Sequence, residues 1–312
     1  MLVESAALDE AESPAQCDHW VVVCTEPGAV ISVSVSGSGR SRKARAVVFT
    51  DSGQTLWFDS DGDGRRQDFD LVVSELPGRT RLTLTVRAGT VSEPAEIGAP
   101  DVTRRVGQLP VILKATLVPL ARPAVLDGAG PAESSVAIRG YRATGSLALG
   151  SVTHDLRGQV WFSRTSLAEA SRAGTRIHAV FQDGSSLYAA RTPTSASAAK
   201  LAAVQVNDRI SRTSVPSLRV VGESRQVPES VRCELGDASI RDVRGAPRHS
   251  EGYQHLAFLR PSGPHGVWFR VGYTPFDFVR GGTTGFGLLE HAVAVDGVTR
   301  PDPEIELPDP WD

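Results

Sequence analysis

The chain has 312 residues, 40% of them hydrophobic and 22% charged, which is typical of a folded globular protein with one or two domains. Its net charge of −3, without a strongly basic stretch, argues against a nucleic-acid partner, because phosphate binding needs clustered positive charge. The acidic N-terminal segment lacks the features of a signal peptide and no apolar run reaches about 18 residues, so we expect a cytoplasmic protein without a membrane span.

Alternation of apolar and polar residues predicts β-strands along the first part of the chain. The segment AVISVSVS at 29–36 places valine and isoleucine on one face and serine on the other. TRLTLTVR at 80–87 separates leucine from threonine in the same way. Such strands bury one face in an antiparallel sheet, so we predict a first all-β domain over 16–120.

A segment rich in proline, glycine and small residues, 121–135, is the predicted linker. The β pattern resumes after it and continues to the strand GFGLLEHAVAVDG. Asp183-Gly184 lies between two apolar stretches, which predicts a tight hairpin turn. We therefore predict a second all-β domain over 133–300, built like the first from antiparallel strands.

The acidic stretch DSDGDG has the spacing of a calcium loop. Asp59, Asp61 and Asp63 take the first, third and fifth positions, and Asp70 takes the twelfth. The flanking segments are predicted strands instead of helices, and two arginines lie inside the loop. The alternative is an acidic hairpin turn. Calcium thus remains one of two interpretations of this stretch.

Three ionisable residues lie within otherwise apolar predicted strands. Glu290 and His291 are adjacent, so their side chains point to opposite faces and one of them must face inward. His178 shares a face with Val180. Burial of such a group shifts its pKa and permits acid–base chemistry. We predict Glu290, His291 and His178 as catalytic residues.

Four segments resemble parts of the two-domain lipocalin-like proteins related to carotenoid 1,2-hydratase and the decalin-forming Diels-Alderases. They are DHWVVVCTEPGAVISV at 18–33, HDLRGQVWFSRTSL at 154–167, HAVFQDGSSLYAAR at 178–191 and GFGLLEH at 285–291. The resemblance implies an all-β fold of two lipocalin-like antiparallel β-barrel or sandwich domains that face each other, with an apolar pocket near their interface. It also implies that no cofactor is expected, the calcium interpretation aside.

One departure from the family pattern narrows the implied activity. Where the family has tryptophan followed two residues later by aspartate, this chain has Trp161 and Ser163, which disfavours a hydratase that protonates an alkene. We predict a cyclase or isomerase, including the pericyclase type, that folds a small hydrophobic polyketide or terpenoid in natural-product biosynthesis. The alternatives are a non-catalytic binder of hydrophobic ligands and a calcium-dependent β-sandwich binding module. The predicted ligand-binding residues are Trp161, Trp20, Trp268 and Tyr273.

Overall fold

The computed structural model describes residues 16–36, 43–60, 68–91, 107–120, 124–126, 136–166, 174–192, 199–206, 209–215, 217–221, 228–236, 242–248, 255–259 and 268–295. Within these ranges the chain forms twenty β-strands in two antiparallel sheets. The first sheet contains β1 (Gln16–Glu26), β2 (Ala29–Ser36), β3 (Lys43–Phe49), β4 (Thr55–Asp59), β5 (Phe69–Leu76), β6 (Arg79–Val91), β7 (Gln108–Pro119), β8 (Ala124–Leu126), β9 (Val136–Leu149) and β10 (Val152–Ser166).

The second sheet contains the remaining strands in chain order. They are β11 (Gly174–Phe181), β12 (Ser186–Thr192), β13 (Ala199–Val206), β14 (Arg209–Ser214), β15 (Ser217–Val221), β16 (Ser230–Glu234), β17 (Asp242–Pro247), β18 (His255–Leu259), β19 (Trp268–Arg280) and β20 (Thr283–Val295). The prediction of an all-β protein is confirmed. No helix among the described residues is long and apolar enough to cross a membrane.

Eight strands of the first sheet close into a barrel. Their order is β10-β1-β2-β3-β4-β6-β7-β9, and β9 pairs with β10 to complete the ring. β5 adds to β6 and β8 adds to β9 outside the ring. The second sheet has the order β14-β13-β12-β11-β20-β19-β17-β16-β15, with β18 paired to β19, and curls into a half-barrel.

The sheets divide at a different place from the predicted linker. β9 and β10 follow the segment 121–135, yet both belong to the barrel, where Phe162 of β10 pairs with Trp20 of β1. The chain passes to the half-barrel between β10 and β11. The predicted domain boundary at 133 therefore does not coincide with this division, because proline and glycine mark a loop without indicating which strands pair across it.

The side chains of strand β1 point alternately into the barrel and outward from it. Trp20 and Val22 point into the barrel, where the Trp20 ring lies 4.3 Å from Phe162 and 6.4 Å from Tyr141, measured between ring centroids. Val21 and Val23 point outward and are fully buried, because the half-barrel covers this outer face. Alternation along one strand thus separates the barrel core from the interface between the sheets.

Two apolar clusters join the outer face of the barrel to the half-barrel. The larger interface cluster consists of Val21, Val23, Val30, Val47, Phe49, Val180, Val271, Tyr273 and Leu288. The smaller interface cluster consists of Ile138, Trp161, Tyr188 and Ala203. Because each cluster contains residues from both sheets, burial of its apolar surface favours association of the barrel with the half-barrel.

The half-barrel has its own core and the predicted hairpin. Ile177 and Phe181 of β11 face that core, while Val180 faces the interface, as their alternation indicates. β11 pairs with β12 through the turn at Asp183-Gly184, where Gly184 has a φ of 79°. The hairpin predicted from this dipeptide is confirmed.

Candidate functional site

Four polar side chains meet between the two sheets and are almost completely buried. The barrel contributes His19 from β1 and Ser32 from β2, and the half-barrel contributes His178 from β11 and Glu290 from β20. Their exposed fractions are 5%, 3%, 1% and 4% in that order. Each shares its strand face with residues that contact the opposite sheet, so alternation along four apolar strands brings them together. We call these four residues the polar cluster.

Glu290 is the centre of the polar cluster. Ser32 Oγ donates a hydrogen bond to Glu290 Oε1 at 3.2 Å, and His19 Nε2 lies 3.0 Å from the same oxygen. His19 Nε2 is also 2.9 Å from Ser32 Oγ. The other carboxylate oxygen, Oε2, lies 3.6 Å from Arg176 Nη1. The carboxylate therefore interacts with both sheets, through one oxygen with the barrel and through the other with β11.

His178 completes the polar cluster but has unsatisfied hydrogen-bonding groups. Its ring lies edge-on to His19 at 5.5 Å and to Tyr188 at 5.1 Å between centroids. Neither of its ring nitrogens has a hydrogen-bond partner among the described residues, and the same holds for His19 Nδ1. An unsatisfied buried polar group costs about 1–3 kcal/mol, so three such atoms in one place suggest a role in binding.

The environment favours an ionised carboxylate at Glu290 and a neutral imidazole at His178. Burial alone would raise the pKa of Glu290, but its contacts with His19, together with His178 and Arg176, outweigh burial and hold that pKa well below its usual range. Burial lowers the pKa of His178 to about 3, with the charge of Glu290 opposing the shift. At neutral pH the cluster thus presents a carboxylate beside a neutral imidazole.

The structure brings together two of the three predicted catalytic residues. Glu290 and His178 meet in the polar cluster, whereas His291 points to the opposite face of β20, where its Nδ1 lies 2.9 Å from Thr175 Oγ1. His19 was not predicted, although its alternation with Val21 and Val23 in an apolar strand was the available signal.

The predicted ligand-binding aromatic residues lie in different places. Trp161 is 1% exposed within the smaller interface cluster, with its ring 6.2 Å from that of Tyr188. Tyr273 belongs to the larger interface cluster and lies 6.2 Å from Trp57, between ring centroids. Trp20 packs inside the barrel. Trp268 belongs to β19, but its side chain lies outside the described part of the chain.

The predicted calcium ligands are only partly within the described residues. Asp59 ends β4, and its Oδ2 accepts a hydrogen bond from Arg45 Nε at 2.8 Å. Asp70 is exposed on β5. Asp61 and Asp63 lie outside the described residues, so calcium binding at this stretch stays a prediction.

Comparison with known proteins identifies the fold. No protein-family model matches the sequence, and no curated protein matches it either. The structure is similar to that of an AttH candidate from Nitrosomonas europaea, with 14% identity, a TM-score of 0.55, and coverage of 92% of this chain and 97% of that one. It is also similar to CghA, with 12% identity, a TM-score of 0.52, and coverage of 91% and 89% respectively. The predicted resemblance to two-domain lipocalin-like proteins is confirmed at the level of the fold.

Proposed function

We propose that the protein is a cyclase or isomerase that folds a small hydrophobic polyketide or terpenoid between its two sheets, without a redox cofactor. The observation that carries the proposal is the polar cluster itself: Glu290, His178 and His19 meet between the two sheets with their side chains buried. Ionisable groups at such positions are expensive to bury and concentrate at functional sites. Activity in natural-product biosynthesis and a cytoplasmic location are parts of this proposal.

Binding of the substrate beside the polar cluster would supply the physical means of catalysis. A flexible apolar chain held there would lose its conformational freedom on binding and not in the transition state. Glu290 and His178 would then accept hydrogen bonds from the polar group of the substrate and fix its register. Because the Glu290 carboxyl is ionised, it is poorly suited to protonating an alkene, which favours cyclisation or isomerisation over hydration.

Replacing Glu290 by glutamine tests this proposal. We expect the conversion of a linear polyene with a polar terminus into a product of unchanged mass to slow by about 10²-fold, the cost of misplacing a reacting group by about 1 Å. Conversion is measured by liquid chromatography with mass detection on a panel of such polyenes. The matched control is Glu75→Gln, which makes the same chemical change at a side chain that is 78% exposed and should leave the rate unchanged.

The other outcomes discriminate the alternatives. Full conversion by the Glu290→Gln variant would remove Glu290 from the mechanism. Binding without conversion by the unaltered protein would identify a carrier of hydrophobic ligands. Binding is detected independently by thermal unfolding, since a ligand at a hundredfold excess over its Kd stabilises the native state by about 2.7 kcal/mol.

A further inference from the structure

We infer that His19, His178 and Glu290 form a binding site for a zinc ion between the barrel and the half-barrel. This inference goes beyond the proposed function and does not rest on it, because the same three donors would hold the ion whether or not the protein converts a substrate. The expectation that no cofactor apart from calcium is needed stays a prediction, which zinc binding would contradict.

The three donors are already close enough to share one ion. One ligand atom from each residue lies within 4.8 Å of the other two, and His19 Nε2 and Glu290 Oε1 are 3.0 Å apart. Zinc binds nitrogen and oxygen at about 2.0–2.2 Å, so ligands of a tetrahedral site lie about 3.3 Å from one another. The ligand atoms that lie farthest apart must therefore move closer together when the ion binds.

The unpartnered nitrogens of His178 are the independent observation that points to a ligand. A structural histidine that is 1% exposed normally satisfies at least one ring nitrogen with a protein hydrogen bond. Both ring nitrogens of His178 lack such a partner among the described residues, although the ring is adjacent to a carboxylate and a second imidazole. Coordination of an ion by either nitrogen would satisfy it.

Two neighbouring groups contact the carboxylate. Ser32 Oγ donates a hydrogen bond to Glu290 Oε1, the oxygen that faces His19, and a carboxylate oxygen has a second lone pair that can still bind an ion. Arg176 lies near Glu290 Oε2, whereas the histidine side of the cluster meets Oε1. Arg176 retains 29% exposure of its side chain, so solvent screens part of its repulsion toward a cation. The hydrogen bond from Ser32 is the contact that would orient the carboxylate as a ligand, as outer partners do at metal sites.

The chemistry of the donors selects zinc over calcium. Calcium takes six to eight oxygen ligands, whereas two imidazoles and one carboxylate form the three-ligand set found in zinc sites that keep one position open. Since His19 belongs to the barrel and the other two donors belong to the half-barrel, a bound zinc ion would also link the two sheets.

The test is metal binding by the full-length protein in the absence of any polyene. After treatment with a chelator and its removal, we expect titration calorimetry to show one Zn²⁺ per chain, and a hundredfold excess over the Kd to raise the unfolding midpoint by roughly 3–5 °C. Co²⁺ in the same site should give the visible absorption of a four-coordinate ion, which Zn²⁺ displaces.

Variants assign the binding to these residues. His178→Asn and Glu290→Gln should each weaken zinc binding by more than about a hundredfold, because loss of a ligand exceeds the roughly 10–100-fold cost of losing an outer partner. His154→Asn, at a half-buried histidine of β10 outside the polar cluster, should bind zinc normally.

Two outcomes would overturn the inference. One is the absence of stoichiometric Zn²⁺ binding by the unaltered protein, a result that does not depend on how any variant folds. The other is unchanged affinity in a folded His178→Asn variant. Neither outcome decides whether polyenes are converted, so failure here is distinguishable from failure of the proposed function.

Discussion

Alanine at position 287 is expected to destabilise the protein by about 3 kcal/mol or more. A Cβ atom built on Gly287 would lie 1.8 Å from the carbonyl oxygen of His178 and 2.9 Å from Cα of Ala179. These atoms belong to the backbone of the adjacent strand β11 and cannot rotate aside as a side chain would. The substitution therefore forces β20 away from β11, at the place where Glu290 and His178 are held together.

Urea unfolding followed by circular dichroism measures this effect. Gly107→Ala is the matched control, because a Cβ there meets nothing within 4 Å, and its free energy of unfolding should change by less than about 0.5 kcal/mol. A Gly287→Ala variant as stable as the control would show that the two strands are not packed as closely as described.

The second large expected effect is that of replacing Trp161 by alanine, which should cost about 3–5 kcal/mol. Trp161 is 1% exposed and is the largest side chain of the smaller interface cluster, where it meets Tyr188 across the two sheets. Its removal leaves a cavity that the surrounding rigid strands can fill only in part. Because the contact joins the barrel to the half-barrel, the loss should weaken their association.

Denaturant unfolding also tests this prediction. Trp161→Phe should lower the free energy of unfolding less than Trp161→Ala, because it creates a smaller cavity. It also removes the indole nitrogen, which has no hydrogen-bond partner among the described residues. Val152→Ala serves as the exposed control, since Val152 is 54% exposed. Equal stability of the alanine variants at 161 and 152 would contradict the burial of Trp161 between the sheets.

Local periodicity predicted the strands well but not their partners. The alternation in β2 and the Asp183-Gly184 turn depend on neighbouring residues only, and both predictions agree with the structure. Closure of the barrel depends on pairing between β1 and β10, which are more than a hundred residues apart. Alternation within one segment does not indicate which distant strand that segment pairs with. For this reason the segment 121–135 was interpreted as a division between domains.

The difference between local patterns and contacts of distant strands also explains why only part of the polar cluster was predicted. Glu290 and His178 were predicted because each interrupts an apolar strand, a signal present in the sequence itself. The rule that adjacent side chains point apart also required either Glu290 or His291 to face inward, and it left open which one. That His19 and Ser32 approach Glu290 follows from packing the outer face of the barrel against β11 and β20, a contact between sheets that periodicity does not encode.

The closure of the barrel by its first and last strands has a consequence for biosynthesis. Gln16 pairs with Ser166, so a growing chain cannot complete the barrel before both ends of this span have left the ribosome. Until then the backbone N–H and C=O groups along one edge of β1 are unpaired. Because apolar residues lie beside this edge, the incomplete barrel is prone to aggregation. A fragment ending at 133 would keep β1 and β7 as permanent open edges. An N-terminal piece of the chain must therefore include β10, which ends at residue 166, before the ring of strands can close.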